Sequence, residues 1–471
     1  MPNFLKSLYF ALPAIAQDCA ITALGYRRRW QRFGRIYCKH LDDLMESQWF
    51  SAEQFAQLQL QKLRHLLAEC AMYVPYYQKK FSEIGFNTTD LKSLGDLRKL
   101  PILEKDTLRS QTEKFHNLAP GRKAIEVELT SGSTGAPLAI PMDRETISIA
   151  IALLERQYQW AGVSFFDKHA RFCGAVVSSM DNPIRPYRWN WAWNQLLCST
   201  YHMTQENMAK YAIVLTKFQP KYLHCYPSAI FAFSSWLNKT KQWQGKIRPK
   251  AVFTTAETLY DYQRDEIETA FDCKVFNQYG SAEGAPFIGQ CESGGLHLSP
   301  ESGIIEFLRD DDSPANPGEE AQMVVTSFRN FKVPLVRYRI GDYAILSEEI
   351  CPCGRNMPLI KDIHGRCDDI MITTDRGIVG RLSQVTKVAP QSFAESQIEE
   401  IALDDFIFRY VPDPKYFQPS DLKKVTVDMH QRLGNNIHIT FEELKIIRKG
   451  ARGKYKAMIG LPRDKWPEKL R

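Results

Sequence analysis

A short stretch rich in glycine and hydroxyl side chains carries the clearest chemical meaning in this sequence. It comprises Thr130, Ser131, Gly132, Ser133, Thr134 and Gly135, and it follows the strand-like run AIEVEL. Glycines let the backbone approach an anion so that successive N–H groups point at phosphate oxygens, and small hydroxyls add donors without bulk. It is not a Walker loop, because no Gly-Lys-Ser/Thr sequence ends it. The stretch therefore predicts a phosphate-binding loop; the alternative is a polar surface turn.

Two pairs of metal-ligand side chains lie farther along the chain. They are Cys291 with His297, and Cys351 with Cys353. Three thiols and one imidazole suit a closed, tetrahedral zinc site of the structural kind. Such a site would join two loops and perform no chemistry. The alternative is two unrelated pairs of loop cysteines.

The elements that must position these residues can be read from periodicity. Residues 1–100 read as mostly helical, and the run from Ala52 repeats apolar residues at three- and four-residue spacing until Pro75. From about 125 to 345, β-rich runs alternate with helical ones, which favours α/β packing around a mainly parallel or mixed sheet. The pattern changes again beyond about 366. We therefore predict a large N-terminal domain over 1–366 and a small α+β domain over 367–471.

Composition and charge narrow the class of protein. With 44% hydrophobic and 24% charged residues in 471, the chain is typical of a globular protein with a sizeable core. A net charge of +7 suits anionic ligands but is too small to indicate nucleic-acid binding. The 11 cysteines are spread sparsely, which favours reduced thiols in a cytoplasmic protein.

The N-terminal stretch FLKSLYFALPAIAQDCAITALGY is only moderately apolar. Lys6, Pro13, Gln17 and Asp18 interrupt it, so it lacks the roughly 20 apolar residues of a membrane span. It carries a weak basic n-region and no clear cleavage site, so it does not read as a signal peptide. It predicts a surface helix packed on the body of the protein. The alternative is an interfacial helix whose basic flank contacts the inner face of an anionic membrane.

Six segments together resemble the motifs of the adenylate-forming superfamily, which includes acyl-CoA synthetases, luciferases and non-ribosomal adenylation domains. In chain order they are TSGSTGAP (130–137), TTAETL (254–259), NQYGSAEG (277–284), VRYRIGD (336–342), GRCDD (365–369) and RGKYK (452–456). VPYYQKKF (74–81), PILEKDTLR (101–109), YPSAI (226–230) and CPCGR (351–355) resemble its phenylacetate–CoA ligase branch, and within it the CapK-type proteins of polysaccharide loci. Both halves of the cysteine–histidine set lie in segments similar to that branch, where a zinc site is found.

The resemblance implies an enzyme that activates a small carboxylic acid as its acyl-AMP, using ATP and magnesium. Thr130 to Gly135 would hold the β- and γ-phosphates, and Glu283 would be the carboxylate associated with Mg²⁺. Asp342 would accept hydrogen bonds from the ribose hydroxyls. Arg339, either by itself or together with Arg337, would lie near phosphate or carboxylate. The remaining nucleotide-binding set would be Ala256, Glu257, Tyr279, Gly280, Ser281 and Arg366. Within it, Tyr279 would stack on adenine or border the acyl pocket.

The resemblance also implies a mobile small domain that acts as a lid. Lys454 would bridge the α-phosphate and the substrate carboxylate, and Asp368 would be the hinge between two catalytic states. Two features depart from the family pattern. Ala282 replaces the Thr or Ser that precedes the motif's glutamate, and the segment after the hinge lacks the usual glycine-rich strand.

Several functional alternatives stay open at this point. The acceptor of the acyl group would be CoA, a carrier protein, or an amine or hydroxyl of a glycan, the last in capsule or other polysaccharide biosynthesis. A second reading is a non-catalytic, nucleotide-binding scaffold in a membrane-associated polysaccharide-synthesis complex. A nucleic-acid binder is disfavoured, although RPYRWNWAWN (185–194) mixes basic and aromatic residues. A homodimer is expected from the resemblance.

Overall fold

The structure of the chain, a computed structural model, describes most of the sequence. The described residues are 8–129, 138–174, 177–178, 185–309, 311–364, 371–379, 392–414, 416–447, 458–461 and 465–467. The α-helices are α1 (Ala14–Arg32), α2 (Arg35–Ser47), α3 (Ala52–Tyr73), α4 (Pro75–Ile84), α5 (Lys105–Ser110), α6 (Arg144–Trp160), α7 (Gln205–Phe218), α8 (Pro227–Thr240), α9 (Asp261–Phe271) and α10 (Pro419–Leu433).

The strands fall into a long series in the first part of the chain and a shorter one at the end. They are β1 (Glu126–Leu129), β2 (Ala139–Met142), β3 (His169–Cys173), β4 (Tyr187–Asn190), β5 (Gln195–Ser199), β6 (Tyr222–Cys225), β7 (Ala251–Thr255), β8 (Val275–Gly280), β9 (Phe287–Gln290), β10 (Leu296–Leu298), β11 (Gly303–Leu308), β12 (Glu320–Ser327), β13 (Tyr338–Ser347), β14 (Leu359–His364), β15 (Met371–Thr373), β16 (Gly377–Val379), β17 (Phe393–Ala402), β18 (Asp405–Pro412), β19 (His438–Glu443) and β20 (Met458–Ile459).

The helical lead-in follows from local sequence signals. Helix α3 begins at a capping box, in which Ser51 Oγ accepts from the backbone N–H of Gln54 at 3.3 Å and Gln54 Oε1 accepts from that of Ser51 at 2.8 Å. It ends at Tyr73, because Val74 precedes a proline and is extended. Pro75 ends this periodic run as predicted, and it also opens α4 at a position where its missing N–H costs nothing.

One large mixed sheet of 12 strands organises most of the chain among the described residues. Its order is β11-β12-β13-β14-β10-β9-β8-β7-β6-β3-β5-β4. The segment β8-β7-β6-β3-β5 is parallel, and helices α7, α8 and α9 connect its strands. Strand β6 is buried along its full length, as expected for a parallel strand covered on both faces. The antiparallel half, β9 to β14, packs against the helical lead-in through a core that includes Leu66, Phe115 and Tyr338.

The C-terminal part has its own sheet and core. Strands β19-β18-β17-β20 form a four-stranded sheet, and α10 packs its Val425, Met429 and Leu433 against Phe406 and Phe408. The hairpin β15–β16 precedes it. Contacts reach back to the large sheet, because Ile372, Leu461 and Trp466 belong to the same apolar cluster as Phe172 and Phe233.

The observed fold confirms the predicted α/β class with a large mixed sheet and a smaller α+β part. The segment RPYRWNWAWN supplies edge strand β4 and the turn after it, and Trp193 is buried there. No helix within the described ranges is both long and apolar enough to cross a bilayer.

Candidate active site and a cysteine–histidine cluster

Three parallel strands of the large sheet end side by side, at the edge where ligands bind in open α/β sheets. Strand β6 is followed by Tyr226, β7 by Ala256 and Glu257, and β8 ends in Tyr279 and Gly280. The registers Thr254↔Asn277 and Thr255↔Gln278 place the last two strand ends next to each other. Two of the predicted nucleotide-binding motifs therefore meet at one edge of the sheet.

Glu257 turns back onto the helix that follows β6. Its Oε2 accepts a hydrogen bond from the backbone N–H of Ser228 at 2.9 Å, within the first turn of α8. A carboxylate here satisfies an N–H group that the helix itself leaves unpaired and complements the positive end of the helix dipole. The preceding residue, Ala256, has φ 70°, which is uncommon for a residue other than glycine. The turn after β7 is thus shaped so that Glu257 can reach α8.

Tyr279 and Asp342 connect the parallel and antiparallel halves of the sheet. The hydroxyl of Tyr279 donates a hydrogen bond to Oδ2 of Asp342. Asp342 lies where the pairing of β12 with β13 changes register, between Gln322 and Val324, and where Gly341 has φ 86°. Such irregularities re-aim side chains at the edge of a site. The structure therefore brings the predicted adenine-side tyrosine and the predicted ribose-binding carboxylate into contact.

Glu283 is buried in the turn after β8, with 5% of its surface exposed. The turn is fixed by Ser281, whose Oγ donates to the carbonyl of Ala285 at 2.7 Å. Gly284 has φ 95°, and a Cβ there would lie 2.7 Å from Ser327 Oγ. A larger residue at 284 would therefore displace the loop after β12. A buried carboxylate offers the hard oxygen ligands that Mg²⁺ prefers, so Glu283 fits its predicted part.

Arg329 was not foreseen from the sequence. It is 9% exposed, and its guanidinium makes no hydrogen bond or ion pair with any residue that the structure describes, with Nε fully buried. Burial lowers the pKa of Arg329 to about 10, while the negative charge of Glu128 acts in the opposite direction. Its Cβ lies 3.5 Å from where a side chain on Gly284 would begin. Arg329 is thus a buried cation beside the Glu283 turn that pairs with no carboxylate of the described residues.

The surroundings of Arg329 include the hairpin from which the phosphate-loop sequence emerges. Glu128 lies on β1, which ends at Leu129, and β2 begins at Ala139. The neighbouring Asn330 donates from Nδ2 to the carbonyl of Pro141 on β2 at 3.2 Å. A weak signal was present in the sequence, since Arg329 follows the end of a buried strand within SFRNFK. Nothing in the residue types alone separated it from an ordinary surface arginine.

Arg339 pairs with side chains outside this set. Its guanidinium donates to Glu104 at 2.9 Å and to Asp312 at 2.7 Å, both of them half-exposed carboxylates. It also donates to Gln322 Oε1. In this arrangement Arg339 ties β13 to the loop before α5. Its predicted place near phosphate would require these pairs to separate.

The remaining predicted residues lie outside the described part of the chain. These are Thr130 to Gly135 of the phosphate loop, Arg366 and Asp368 of the hinge motif, and Lys454. The described strands β1 and β2 pair antiparallel from Glu126↔Met142 to Leu129↔Ala139. These two strands form a sheet of their own, and they fix the two points between which the phosphate-loop sequence runs.

Cys291, His297, Cys351 and Cys353 form one compact cluster. One ligand atom from each lies within 4.8 Å of all the others. The Cys291 and Cys351 sulfurs are 3.5 Å apart, and the Cys353 sulfur lies 3.2 Å from His297 Nε2. Zinc–ligand bonds of about 2.0–2.3 Å at tetrahedral angles place ligand atoms roughly 3.5–3.8 Å apart. A disulfide needs about 2.05 Å, so the cluster fits a tetrahedral metal site and not a disulfide.

The histidine in this cluster is set up as a neutral ligand. Its Nδ1 lies 3.3 Å from the carbonyl of Met357, which can only accept, so Nδ1 carries the proton and Nε2 keeps its lone pair toward Cys353. Burial lowers the pKa of His297 to about 4. The neutral imidazole is therefore the form present near neutral pH, as metal ligation requires.

Comparisons with known proteins agree with this geometry. Over 445 residues, the chain is 28% identical to Protein CapK of Staphylococcus aureus, covering 93% of this chain and 95% of that protein. It is 24% identical over 344 residues to the phenylacetate–coenzyme A ligase of Thermus thermophilus, covering 71% of this chain and 75% of that protein. The family described as the CapK C-terminal domain matches residues 371–460.

The chain is homologous to CapK and to the phenylacetate–coenzyme A ligases. The resemblance inferred from the ordered motifs is thereby confirmed. Among solved structures, 2-hydroxyisobutyryl-CoA ligase in complex with 2-HIB-AMP and CoA in the thioesterification state matches with a TM-score of 0.59. The match has 18% identity and covers 88% of this chain and 91% of that chain. At this level of identity the structural match establishes the fold.

Proposed function

We propose that this chain is an ATP-dependent acid–thiol ligase that forms an acyl-AMP from a small carboxylic acid. The homology to phenylacetate–coenzyme A ligases supports the enzyme class. The observation that carries the assignment to a nucleotide site is the Tyr279–Asp342 hydrogen bond at the strand-end edge, with Glu283 buried in the adjoining turn. These residues come from two motifs that are more than 50 residues apart in the chain, and they share one edge of the sheet.

The first half-reaction is an in-line displacement at phosphorus. A carboxylate oxygen of the acid forms a bond to the α-phosphorus of ATP, and the bond to the bridging oxygen breaks, which releases pyrophosphate. Two anions must approach each other, so the site needs cations and oriented donors more than a proton-transfer group. The sequence Thr130–Gly135 holds the outer phosphates, and Lys454 offsets charge between the α-phosphate and the acid. Glu283 would hold Mg²⁺, whose charge would offset that of the phosphates.

Arg329 joins this set as an anion-binding residue. Its guanidinium is buried, carries no partner among the described residues, and lies beside the Glu283 turn and the β1–β2 hairpin. A cation held without a counter-ion in a low-dielectric environment gains most when an anion arrives. The nucleotide's phosphates are the anions that this site must bind, so Arg329 is assigned to them. Asp342, oriented by Tyr279, accepts from the ribose hydroxyls.

The second half-reaction transfers the acyl group to an acceptor. A thiolate attacks the carbonyl carbon of the acyl-AMP, a carbon–sulfur bond forms, and AMP leaves with the bonding electron pair. CoA is the acceptor that homology to CoA ligases supports. The similarity to Protein CapK keeps a carrier-protein thiol or a glycan amine or hydroxyl in capsule or other polysaccharide biosynthesis as further acceptors to test.

The small domain, residues 367–471, serves as the lid in this scheme, with Asp368 as its hinge. One hydrogen bond joins the small domain to the larger domain, and we propose that it regulates closure of the lid. Arg432 of α10 donates from Nη1 to the hydroxyl of Tyr201 at 2.8 Å and lies 5.3 Å from the centre of that ring. Tyr201 in turn donates to the carbonyl of Gly174, just after β3. Release or formation of this contact would accompany rotation of the lid.

The cysteine–histidine cluster is proposed to bind one structural zinc ion. The metal would join the β9–β10 turn to the loop before β14 and leave no open position for chemistry. Metal analysis of the purified full-length protein should give one zinc per chain, and Cys353→Ser should lose it. Cys273→Ser, a half-buried cysteine outside the cluster, is the matched control and should keep the metal. Absence of zinc from the wild-type protein under chelator-free purification would overturn this assignment.

Product analysis tests the proposed reaction. The full-length protein is incubated with Mg-ATP and a panel of acids, with and without CoA, and AMP, pyrophosphate and acyl products are measured by mass spectrometry. Acyl-CoA formed together with AMP supports the ligase. Acyl-AMP that forms but is not consumed by CoA supports a different acceptor. ATP binding without any acid-dependent product supports the non-catalytic scaffold, toward which Ala282 and the divergent segment after the hinge motif point.

A further inference from the structure

Helix α1 packs on the protein through its polar face. Gln17 Oε1 accepts from Arg188 Nε at 2.7 Å, and Asp18 accepts from the backbone N–H of Trp189 at 3.1 Å. The hydroxyl of Thr22 accepts from the backbone N–H of Trp191 at 3.2 Å. These three polar side chains are at least 92% buried, with exposures of 4%, 2% and 8%. The polarity of this helix is therefore the reverse of an ordinary surface helix, which buries its apolar stripe.

Gly25 completes this close packing. Its carbonyl accepts from the indole Nε1 of Trp193 at 3.0 Å, and a Cβ at this position would lie 2.4 Å from Asn190 Oδ1. The helix is thus pressed onto strand β4 and the turn after it. Its orientation about its own axis is fixed by directional hydrogen bonds, so the outward surface is fixed as well.

The outward surface of the first half of α1 is apolar. From Ile15 to Leu24, the residues facing outward carry no charge, since Asp18 is buried, and Ile15 is 70% and Leu24 is 42% exposed. Tyr26 and Trp30 extend this surface, at 57% and 71% exposure. Single exposed apolar residues need no explanation, whereas this one helix exposes four large apolar side chains, as interaction surfaces do.

A basic flank adjoins this apolar surface. Residues 19–41 contain no Asp or Glu. Within them Arg27, Arg28, Arg35 and Lys39 are exposed and form no ion pair with any residue in the described ranges. Arg32, by contrast, is paired with Glu126 at 2.8 Å. The outward surface of α1 and the start of α2 therefore combine apolar and unpaired cationic groups.

We infer that the outward face of α1, with Arg27, Arg28, Arg35 and Lys39, binds the surface of a bilayer that contains anionic phospholipid. An amphipathic helix lying in the interface buries its apolar side near the acyl chains and keeps basic groups at the headgroups. A second copy of this chain fits the face less well. In a two-fold dimer the same patch meets itself, so its unpaired cations would repel each other. The inference stands independently of the acyl-transfer reaction.

Vesicle sedimentation with the full-length protein tests this binding. The chain should pellet with vesicles of phosphatidylcholine and phosphatidylglycerol and remain in solution with phosphatidylcholine alone, and added salt should release it. Each basic residue near an anionic surface contributes roughly fivefold to the partition coefficient. Arg27→Gln with Arg28→Gln and Lys39→Gln together should therefore reduce it by on the order of 100-fold.

Two substitutions that each introduce a carboxylate measure the apolar contribution to vesicle binding, separately from the contribution of the basic residues. Ile15→Glu and Leu24→Glu are combined in one variant. Each substitution should reduce the partition coefficient by about tenfold or more, because burial of that side chain in the bilayer is lost. Val427→Glu with Ile213→Glu is the matched control, since these residues are also exposed and helical, at 55% and 45%. The control should bind as the wild type does. Activation of the carboxylic acid without vesicles should be the same in the wild type, the variant of the three basic residues and the two double variants. A failure of vesicle binding would therefore leave the proposed reaction unaffected.

Three results would overturn the inference. The first is no sedimentation with anionic vesicles, and the second is equal binding to neutral vesicles. The third is a dimer in light scattering that Ile15→Glu with Leu24→Glu converts to monomer, because the face would then be an interface between copies of this chain.

Discussion

Replacement of Arg329 by methionine should stabilise the nucleotide-free protein and weaken its hold on ATP. The guanidinium of Arg329 is 9% exposed and has no partner among the described residues. Methionine fills a similar volume without bringing a charge into the protein. The usual outcome for a buried charge that loses its partner is the reverse, a large loss of stability. The expected gain in stability and the usual loss have opposite signs, so the sign of the measured change shows whether Arg329 has a partner in the folded protein.

The size of the effect follows from the pKa of this group. Burial lowers the pKa of Arg329 from its ordinary value to about 10, which corresponds to roughly 3 kcal/mol against the charged form. Arginine stays charged at pH 7, so the folded protein bears this cost there. Methionine removes this cost but also loses some of the packing contacts of the arginine side chain. Arg329→Met should therefore raise the free energy of unfolding by about 1–3 kcal/mol. Loss of hydrogen bonds from a charged donor to phosphate should weaken ATP binding by about 10- to 100-fold.

Thermal denaturation with and without ATP measures both effects. The variant should unfold roughly 2–4 °C higher than the wild type without nucleotide, and ATP should raise its Tm less. Arg337→Met is the matched control. Arg337 is equally buried but is paired with Glu306 at 2.8 Å, so its loss should destabilise the protein by about 3–5 kcal/mol. If Arg329→Met lowers the Tm as Arg337→Met does, or leaves the ATP shift unchanged, Arg329 is a structural residue and the reasoning is wrong.

Three further substitutions test other parts of the account. Lys454→Ala should slow acyl-AMP formation by about 10²–10³-fold without loss of ATP binding, whereas Lys456→Ala should act nearly as the wild type in the same assay. Tyr279→Phe should raise the KM for ATP about tenfold because Asp342 loses its donor; an unchanged KM in steady-state kinetics contradicts this. Burial raises the pKa of Glu400 from 4.5 to about 8, so the folded state binds its proton more tightly than the unfolded state. Stability should therefore fall as pH rises from about 4.5 through 8, by up to about 4 kcal/mol, and denaturant titration should find this fall absent in Glu400→Gln.

The elements were largely predictable because their signals are local. Capping at Ser51, the stop at Pro75 and the apolar period of α6 act within a few residues. The alternation of strands and helices between 125 and 345 likewise predicted the parallel segment of the large sheet. The ordered motifs predicted which strand ends would carry functional side chains, and Tyr279 and Asp342 do meet there.

What the sequence could not supply was pairing between distant residues. Glu257 reads as part of a nucleotide motif, yet its carboxylate caps α8 through Ser228. Arg339 reads as a phosphate ligand, yet it pairs with Glu104 and Asp312, which no spacing rule connects to it. Arg329 is ordinary in sequence and distinctive because folding buries it without an ion pair to any residue in the described ranges.

Helix α1 illustrates the same limit in a different way. Its residue types predicted a surface helix and left the choice between packing on the body and contacting a membrane. The structure shows the first, and contact with a membrane stays the proposal made above. Gln17, Asp18 and Thr22 find partners on β4, which leaves the apolar side outward. An average hydrophobicity over the helix cannot reveal which face is buried.

Pyrophosphate exchange tests the central claim most directly. The full-length protein is incubated with ATP, labelled pyrophosphate, Mg²⁺ and a panel of carboxylic and amino acids, and label returning to ATP is counted. The account predicts exchange that depends on one class of acid and is lost in Lys454→Ala. A protein that binds no ATP, or that binds ATP and exchanges no label with any acid of a broad panel, would contradict it.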